Sequence, residues 1–412
     1  MRRVVVLVVV LGLLAACADD DGSSTEATDD PPATTAAADD TVAPAATPAP
    51  TTAAPAIAAP ATAAPTTAAT PTTAAVPSDE IELPAEIVDA VQFSVAGPYR
   101  AGVRTLETAD GTPVEVWYPI DAATEGEGEV YSLAEWTPEL VVAFIGEDRI
   151  PEVLSSAVRD AEPIDGRFPV AVFSHGFGGF RVQSAEITAS LASWGFVVVA
   201  PDHDHRSLEA VLLGGVTEGD DVADLVAARD AVLAAPELGA VVANGRTVAF
   251  GHSAGARGSA EAVAALGAVA WVGMAPAGFP AGTDAVTTVI AGGDDALVDL
   301  AEVEAAAADA DHVAVFADAG HQAFSDFCVL RGEPLPVLAA ELNVPIPEEL
   351  VLLATDGCEP GQLPSTQAAP AVEHLTVATF RAGLGIGDVE APFAPDLLAE
   401  FADLGLEVRS AE

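Results

Sequence analysis

The sequence predicts an α/β fold: a mostly parallel central sheet, helices on both faces, and a helical insertion near the C-terminus. Three observations lead there. From about residue 90 onward, near-continuous apolar runs of strand length alternate with helix-length stretches. Runs that are apolar throughout, rather than every second residue, belong to strands buried on both faces, which is what crossover helices produce. Glycine-bearing turns follow several of these runs, at the carboxyl ends where such sheets bind ligands.

The elements come in this order. "GVRTLET" and "VEVWYP" are short strands around the turn "ADGTP". Residues 121–165 are acidic and irregular, with helical pieces expected near "LAEWTPELVVAFI" and "PEVLSSAVRD". "FPVAVFS" is a buried strand, "SAEITASLASWG" an amphipathic helix ending at Gly, and "FVVVAP" the next strand. "GDDVADLVAARDAVLAA" is a helix whose early Asp residues complement the helix dipole. "RTVAF", "AVAWVGM", "AVTTVIAG" and "HVAVF" are strands, with helices at "AGARGSAEAVAAL" and "LVDLAEVEAAAAD" between them.

The N-terminus stands apart from this pattern. "MRR" precedes the apolar run "VVVLVVVLGLL" and then "LAAC". Residues 1–17 therefore read as a secretory signal peptide, too short to span a bilayer comfortably. Its end resembles a bacterial lipobox, with Cys17 as the lipidated first residue of the exported chain. Residues 18–80 are almost entirely Ala, Thr, Pro and Asp. Such a stretch buries too little apolar surface to offset its ordering entropy, so it is expected to be a disordered linker. Fully extended, at ~3.1 Å per residue, it reaches on the order of 190 Å, the length of a stalk. Residues 81–412 are left for one large domain. The chain is thus expected to be exported and lipid-anchored to the outer face of the bacterial cell membrane, with simple secretion as the alternative.

Charge narrows the choice of partner. Fifteen basic residues, none of them Lys, oppose 63 acidic ones, a formal charge of −48. That surface repels nucleic acid and anionic lipid and suits a neutral or cationic substrate. Of the three cysteines, Cys17 belongs to the lipobox. Cys328 and Cys358 form an even pair in an exported chain, so a disulfide is expected. It closes a loop of about 31 residues and contributes roughly 3–4 kcal/mol on the chain-entropy model.

The chemistry starts at Gly251-His252-Ser253-Ala254-Gly255. A strand runs directly into this G-x-S-x-G and a helix follows, the context of a nucleophile elbow. Ser253 is the candidate nucleophile. Gly251 and Gly255 lack the side chains that would clash in so sharp a turn. The Ala254 N–H, at the helix N-terminus, is one candidate oxyanion donor. The second is the Phe177 N–H, in His175-Gly176-Phe177-Gly178 after "VAVFS". The base is expected late in the chain after a strand, and His321 in "HVAVFADAGHQAF" fits. His175 and His252 belong to turns, His312 begins a strand, and His374 sits in a helix pattern. The acid is expected between them. "TTVIAGGDDALVD" offers Asp294 and Asp295, and the G-x-x-D-x-x-V turn framed by Gly292 and Val298 selects Asp295. Asp295 would orient His321 and stabilise its imidazolium. The order Ser253, Asp295, His321 is the one expected of the α/β-hydrolase fold. The loop "PDHDHRS" carries metal-ligating residue types, but no further ligand cluster accompanies it in the sequence. It is read as shaping the pocket, and no metal or cofactor is expected.

Together, "VFSHGFGGFR", "LASWGFVVVAPDHDHRS", "GHSAG" and "HQAFSDF" resemble the platelet-activating-factor acetylhydrolase branch of the α/β-hydrolases, over roughly residues 95–385. That branch is similar to bacterial chlorophyllase-like, dienelactone-hydrolase-like and polyester-hydrolase proteins. The resemblance implies a serine carboxylic-ester hydrolase working through an acyl-enzyme on lipid-like or small esters. One departure concerns the acid. The plasma-type acetylhydrolases draw it from the strand just after the elbow helix, where this chain reads "AWVGMAPAG". Asp295 on the next strand takes that role here, as in polyester hydrolases, which weakens any transfer of phospholipid specificity. Residues 325–375 look like a helical insertion forming part of a cap. Two alternatives stand beside this reading: a polyester or cutinase-like hydrolase, and a catalytically silent hydrolase fold serving as a binding module.

Overall fold

The computed structural model describes residues 92–411 other than residue 333. The expected signal peptide, its Cys17 and the expected linker of residues 18–80 lie outside the described residues. A ten-stranded sheet dominates, and its strands are β1 (Arg100–Glu107), β2 (Pro113–Ile120), β5 (Val158–Arg159), β6 (Phe168–Ser174), β7 (Val197–Pro201), β8 (Val242–His252), β9 (Ala268–Met274), β10 (Val286–Gly292), β11 (His312–Phe316) and β12 (Leu406–Ser410). The spatial order is β12-β11-β10-β9-β8-β6-β7-β2-β1-β5. A separate two-stranded sheet pairs β3 (Val130–Ser132) with β4 (Glu152–Leu154).

The six strands from β7 to β11 in that order run parallel. Two antiparallel pairs, β2 on β7 and β12 on β11, bring in the outer strands. The parallel strands are buried along nearly their whole length, as in β6 and β7. Both faces are covered. Helix α1 (Glu139–Ile145) is peripheral. Helices α2 (Ala185–Ser193) and α10 (Ser365–Leu384) pack against each other and the sheet. On another set of contacts, α4 (Asp221–Ala234) and α6 (Ala254–Leu266) pack together over β6, β7, β8 and β9. Between them in the chain come α3 (Leu208–Leu213), α5 (Pro236–Val241), α7 (Leu300–Ala306), α8 (Leu335–Glu341) and α9 (Glu348–Thr355).

The chain leaves β6 for β7 on one side and then crosses to β8 on the other. That reversal is a topological switch point, and it opens a crevice at the carboxyl ends of β6 and β8.

Three expectations need correction. "PEVLSSAVRD" is not helical: Glu152–Leu154 pairs with β3, and Val158–Arg159 adds to the edge of the large sheet beside β1. The Pro at its start and the β-branched Val153 and Val158 favour extended backbone wherever a neighbouring strand offers partners. The insertion is shorter than residues 325–375, because α10 begins at Ser365 and buries Ala368, Ala371, Val372 and Leu375 as framework. The helix expected over residues 297–309 is confined to Leu300–Ala306, starting where Asp299 caps the Ala301 and Glu302 N–H groups.

Candidate active site

β8 ends at His252, and Ser253 follows with φ 57° and ψ −123° before α6 begins at Ala254. A non-glycine residue held there is strained, which is what a nucleophile elbow requires. The turn is sharp enough to force both glycines. A Cβ on Gly251 would lie 2.3 Å from the Gly255 carbonyl oxygen, and one on Gly255 would lie 2.1 Å from that of Ser174. The Ser253 N–H donates to the Met274 carbonyl (2.9 Å), tying the elbow to the end of β9.

Asp295 and His321 are brought together. The turn after β10 carries Asp295, and the turn after β11 carries His321. His321 Nδ1–H donates to Asp295 Oδ2 at 2.9 Å, and the two side chains are almost wholly buried. The other Asp295 oxygen accepts the Leu297 and Val298 N–H groups (2.8 and 2.9 Å). Burial alone would raise this carboxyl, but the His321 bond and the two backbone donors outweigh it and hold the pKa below the usual range. Asp294 is exposed. His321 Nε2 is buried with no protein partner among the described residues, and it lines the same cleft as Ser253. With Nδ1 carrying the proton, Nε2 has a free lone pair aimed at that cleft.

The oxyanion candidates are equally specific. In the turn after β6, the Gly176 N–H is taken by Gln183 Oε1, that of Gly178 by the Arg206 carbonyl, and that of Gly179 by the Gly176 carbonyl. Phe177 keeps its N–H free of protein acceptors among the described residues. Ala254 opens α6, whose first N–H groups have no helical partner. The turn is anchored from below by Arg181. Its N–H and guanidinium reach Asp202 at 2.7 and 2.5 Å, and Trp136 donates to the same carboxylate.

Two residues at this site went unnoticed in the sequence. Gln183 connects the candidate oxyanion turn, through His252, to His321. Its Oε1 accepts from Gly176, and its Nε2–H donates to His252 Nδ1 at 2.8 Å. That leaves the proton on His252 Nε2, which donates to the His321 carbonyl at 3.0 Å. Burial, then the neighbouring His321 charge, lowers the His252 pKa to about 3, so it stays a neutral strut. Asp356 is the other. One buried oxygen, Oδ2, accepts the N–H of His321 and the N–H of Ala296, both at 3.0 Å. A single carboxylate thus pins the backbone of His321 and of Ala296, the residue after Asp295. Asp356 lies two residues before Cys358, which is disulfide-bonded to Cys328 as expected. No spacing rule points to either residue, because their partners lie 7 to 69 positions away for Gln183 and 35 and 60 for Asp356.

The cleft is otherwise apolar. Leu208 and Val211 of α3, Phe327, and Leu350 and Leu353 of α9 line it. The pocket-shaping expected of "PDHDHRS" falls instead to α3, just after it. His203 and His205 turn away toward α4, against Asp221 and Asp224.

Comparison with known proteins covers part of the chain. The family described as "Platelet-activating factor acetylhydrolase, isoform II" matches residues 103–220, which include the oxyanion turn but not Ser253, Asp295 or His321. A platelet-activating factor acetylhydrolase of Cavia porcellus is 30% identical over 98 residues, 24% of this chain and 22% of that protein. The chain therefore matches about a fifth of the length of this curated relative. A solved ferulic acid esterase from Streptomyces cinnamoneus is 18% identical, with a TM-score of 0.47 over 69% of this chain and 89% of that one. This chain has an α/β fold and, over residues 103–220, is similar to the platelet-activating factor acetylhydrolases of the isoform II family.

Proposed function

We propose that the protein is a serine carboxylic-ester hydrolase. Ser253 attacks the ester carbonyl while His321 Nε2 takes its proton. The Phe177 and Ala254 N–H groups hold the oxyanion, and His321 returns the proton to the leaving alcohol. Water then repeats the cycle on the acyl-enzyme. Asp295 stays ionised throughout and stabilises the imidazolium. The observation that carries this reading is a buried His321 bound to Asp295 at 2.9 Å, with its free Nε2 in the cleft of a backbone-strained serine. A catalytically silent binding module has no use for that strain. The apolar lining from α3 and α9 favours esters with an aliphatic acyl chain over extended polymer surfaces. The same reading places the domain outside the cell, held by lipidated Cys17 at the end of the residue 18–80 stalk.

The test pairs p-nitrophenyl esters of increasing acyl length with a fluorophosphonate probe. Ser253→Ala should lose the label and on the order of 10⁴- to 10⁶-fold in kcat. Unchanged turnover in that variant rejects the reading. Cys17→Ser should release the protein from the membrane fraction into the medium.

A further inference from the structure

Beside the catalytic cleft lies a second cluster that the proposed reaction does not use. His203 and His205 stand on the loop after β7. Asp221 and Asp224 stand one turn apart at the start of α4, and so share a face. His203 Nδ1 is 2.8 Å from Asp224 Oδ2 and 3.4 Å from Asp221 Oδ1. His205 Nε2 is 3.1 Å from the same Asp221 oxygen, and its Nδ1 is 4.0 Å from Asp224 Oδ2. We infer that His203, Asp221 and Asp224 form a binding site for one divalent transition-metal ion of the zinc class, with His205 beside it.

The geometry and the chemistry agree. A tetrahedral ion with ligands at ~2.0–2.1 Å separates its donor atoms by roughly 3.3 Å, and the two separations from His203 Nδ1 bracket that value. An imidazole with two carboxylates suits zinc and its neighbours, whereas calcium and magnesium take oxygen ligands. Outer partners are also in place. His203 Nε2 meets Ser174 Oγ at 2.9 Å, and the Arg206 guanidinium holds both Asp221 oxygens (3.2 and 3.1 Å). Hydrogen bonds of this kind orient ligands and set their tautomers. Residues 202–224 carry Asp202, Asp204, Glu209, Glu218, Asp220, Asp221 and Asp224 against the single Arg206, so added positive charge is welcome. His203 is fully buried while the Asp224 side chain is 35% exposed, which leaves an entry path from solvent.

The ion would act on the catalytic site from behind. The His203 N–H donates to His175 Nε2 at 2.9 Å, and the Arg206 carbonyl accepts the Gly178 N–H at 2.8 Å. Arg206 also donates to the His175 and Gly176 carbonyls. Joining this loop to α4 through a metal would stiffen the turn that presents Phe177.

The test uses the untagged full chain in detergent, stripped with EDTA and then titrated with Zn²⁺. Metal is counted by mass spectrometry after desalting, and melting is followed in parallel; neither readout depends on esterase activity. The expected result is about one Zn²⁺ retained per chain, with a Tm rise of several degrees at saturation. Asp224→Asn and Asp224→Ala should each weaken binding by roughly tenfold or more and remove the Tm rise, while melting like the wild type in EDTA. Should one of the two fail to fold, the other decides. No retained zinc, or equal retention by the variants, overturns the site, as does a Tm unmoved by zinc.

Discussion

The strand-turn-helix units of the sheet and the disulfide-closed segment Cys328–Cys358 build the same site in different ways. The sheet supplies the candidate nucleophile and the candidate oxyanion turn through short-range constraints. The strain at Ser253, the glycines beside it and the helix start at Ala254 all lie within five consecutive residues. The closed segment supplies no reacting group. Asp356 reaches into the loops that carry the acid and the base and accepts an N–H from each, while Leu350 and Leu353 wall the cleft. A reactive serine can be made locally; a base held to a fraction of an ångström needs bonds from distant parts of the chain.

The largest effect belongs to the acid. Asp295→Asn should lower kcat by about 10⁴-fold because the wrong His321 tautomer is then held, while Asp294→Asn should change it by less than about tenfold. The reverse ranking would move the acid. Next comes the tether. Cys328→Ser with Cys358→Ser should cost roughly 3 kcal/mol, read as a lower denaturation midpoint. If the closed segment also positions the base, kcat should fall with it under native conditions. Loss of stability with kcat intact would reduce the segment to a lid. Asp356→Asn sharpens the contrast at a single residue. It should lower kcat by about 10²-fold with KM little changed, since the cleft wall stays in place.

The smallest predicted effect is electrostatic. Asp326, just before the disulfide, is fully buried near Glu186 and Glu373, and burial pushes its pKa up to about 7; burial does the same to Glu373. Each folded-state pKa lies above the unfolded value of ~4. Each group's stabilising contribution is therefore complete below pH ~4 and is lost as the pH climbs through about 7. Asp295 has the opposite sign: its contribution is lost only as the pH falls below the ordinary carboxylate range. Between pH 5 and pH 8 the slope of Tm against pH should be more positive in Asp326→Asn than in the wild type, a relative gain of a few degrees. An unchanged slope would place the titration elsewhere.

Much of the sheet region was legible. Val-rich runs such as "FPVAVFS" and "FVVVAP" became β6 and β7 because a strand buried on both faces has little alternative. The edges were less so. Val158–Arg159 and Leu406–Ser410 are strands only because β1 and β11 offer them hydrogen-bond partners. The 20-residue α10 was read as partly insertion, since its apolar face is matched to β9 and β10 rather than to anything nearby in the chain.

By itself, the sequence determined the α/β architecture, the elbow at Ser253 and the order of the candidate nucleophile, acid and base. Hydrophobic period and the steric demands of glycine turns act over a few residues, so they are written locally. Only the tertiary structure decided that Gln183 and His252 link the oxyanion turn to His321, and that Asp356 clamps both catalytic loops. It alone brought Asp221 and Asp224 to the histidines of "PDHDHRS". Those contacts join polar atoms far apart in the chain, where pairing is set by the packing of whole layers and no local period records it.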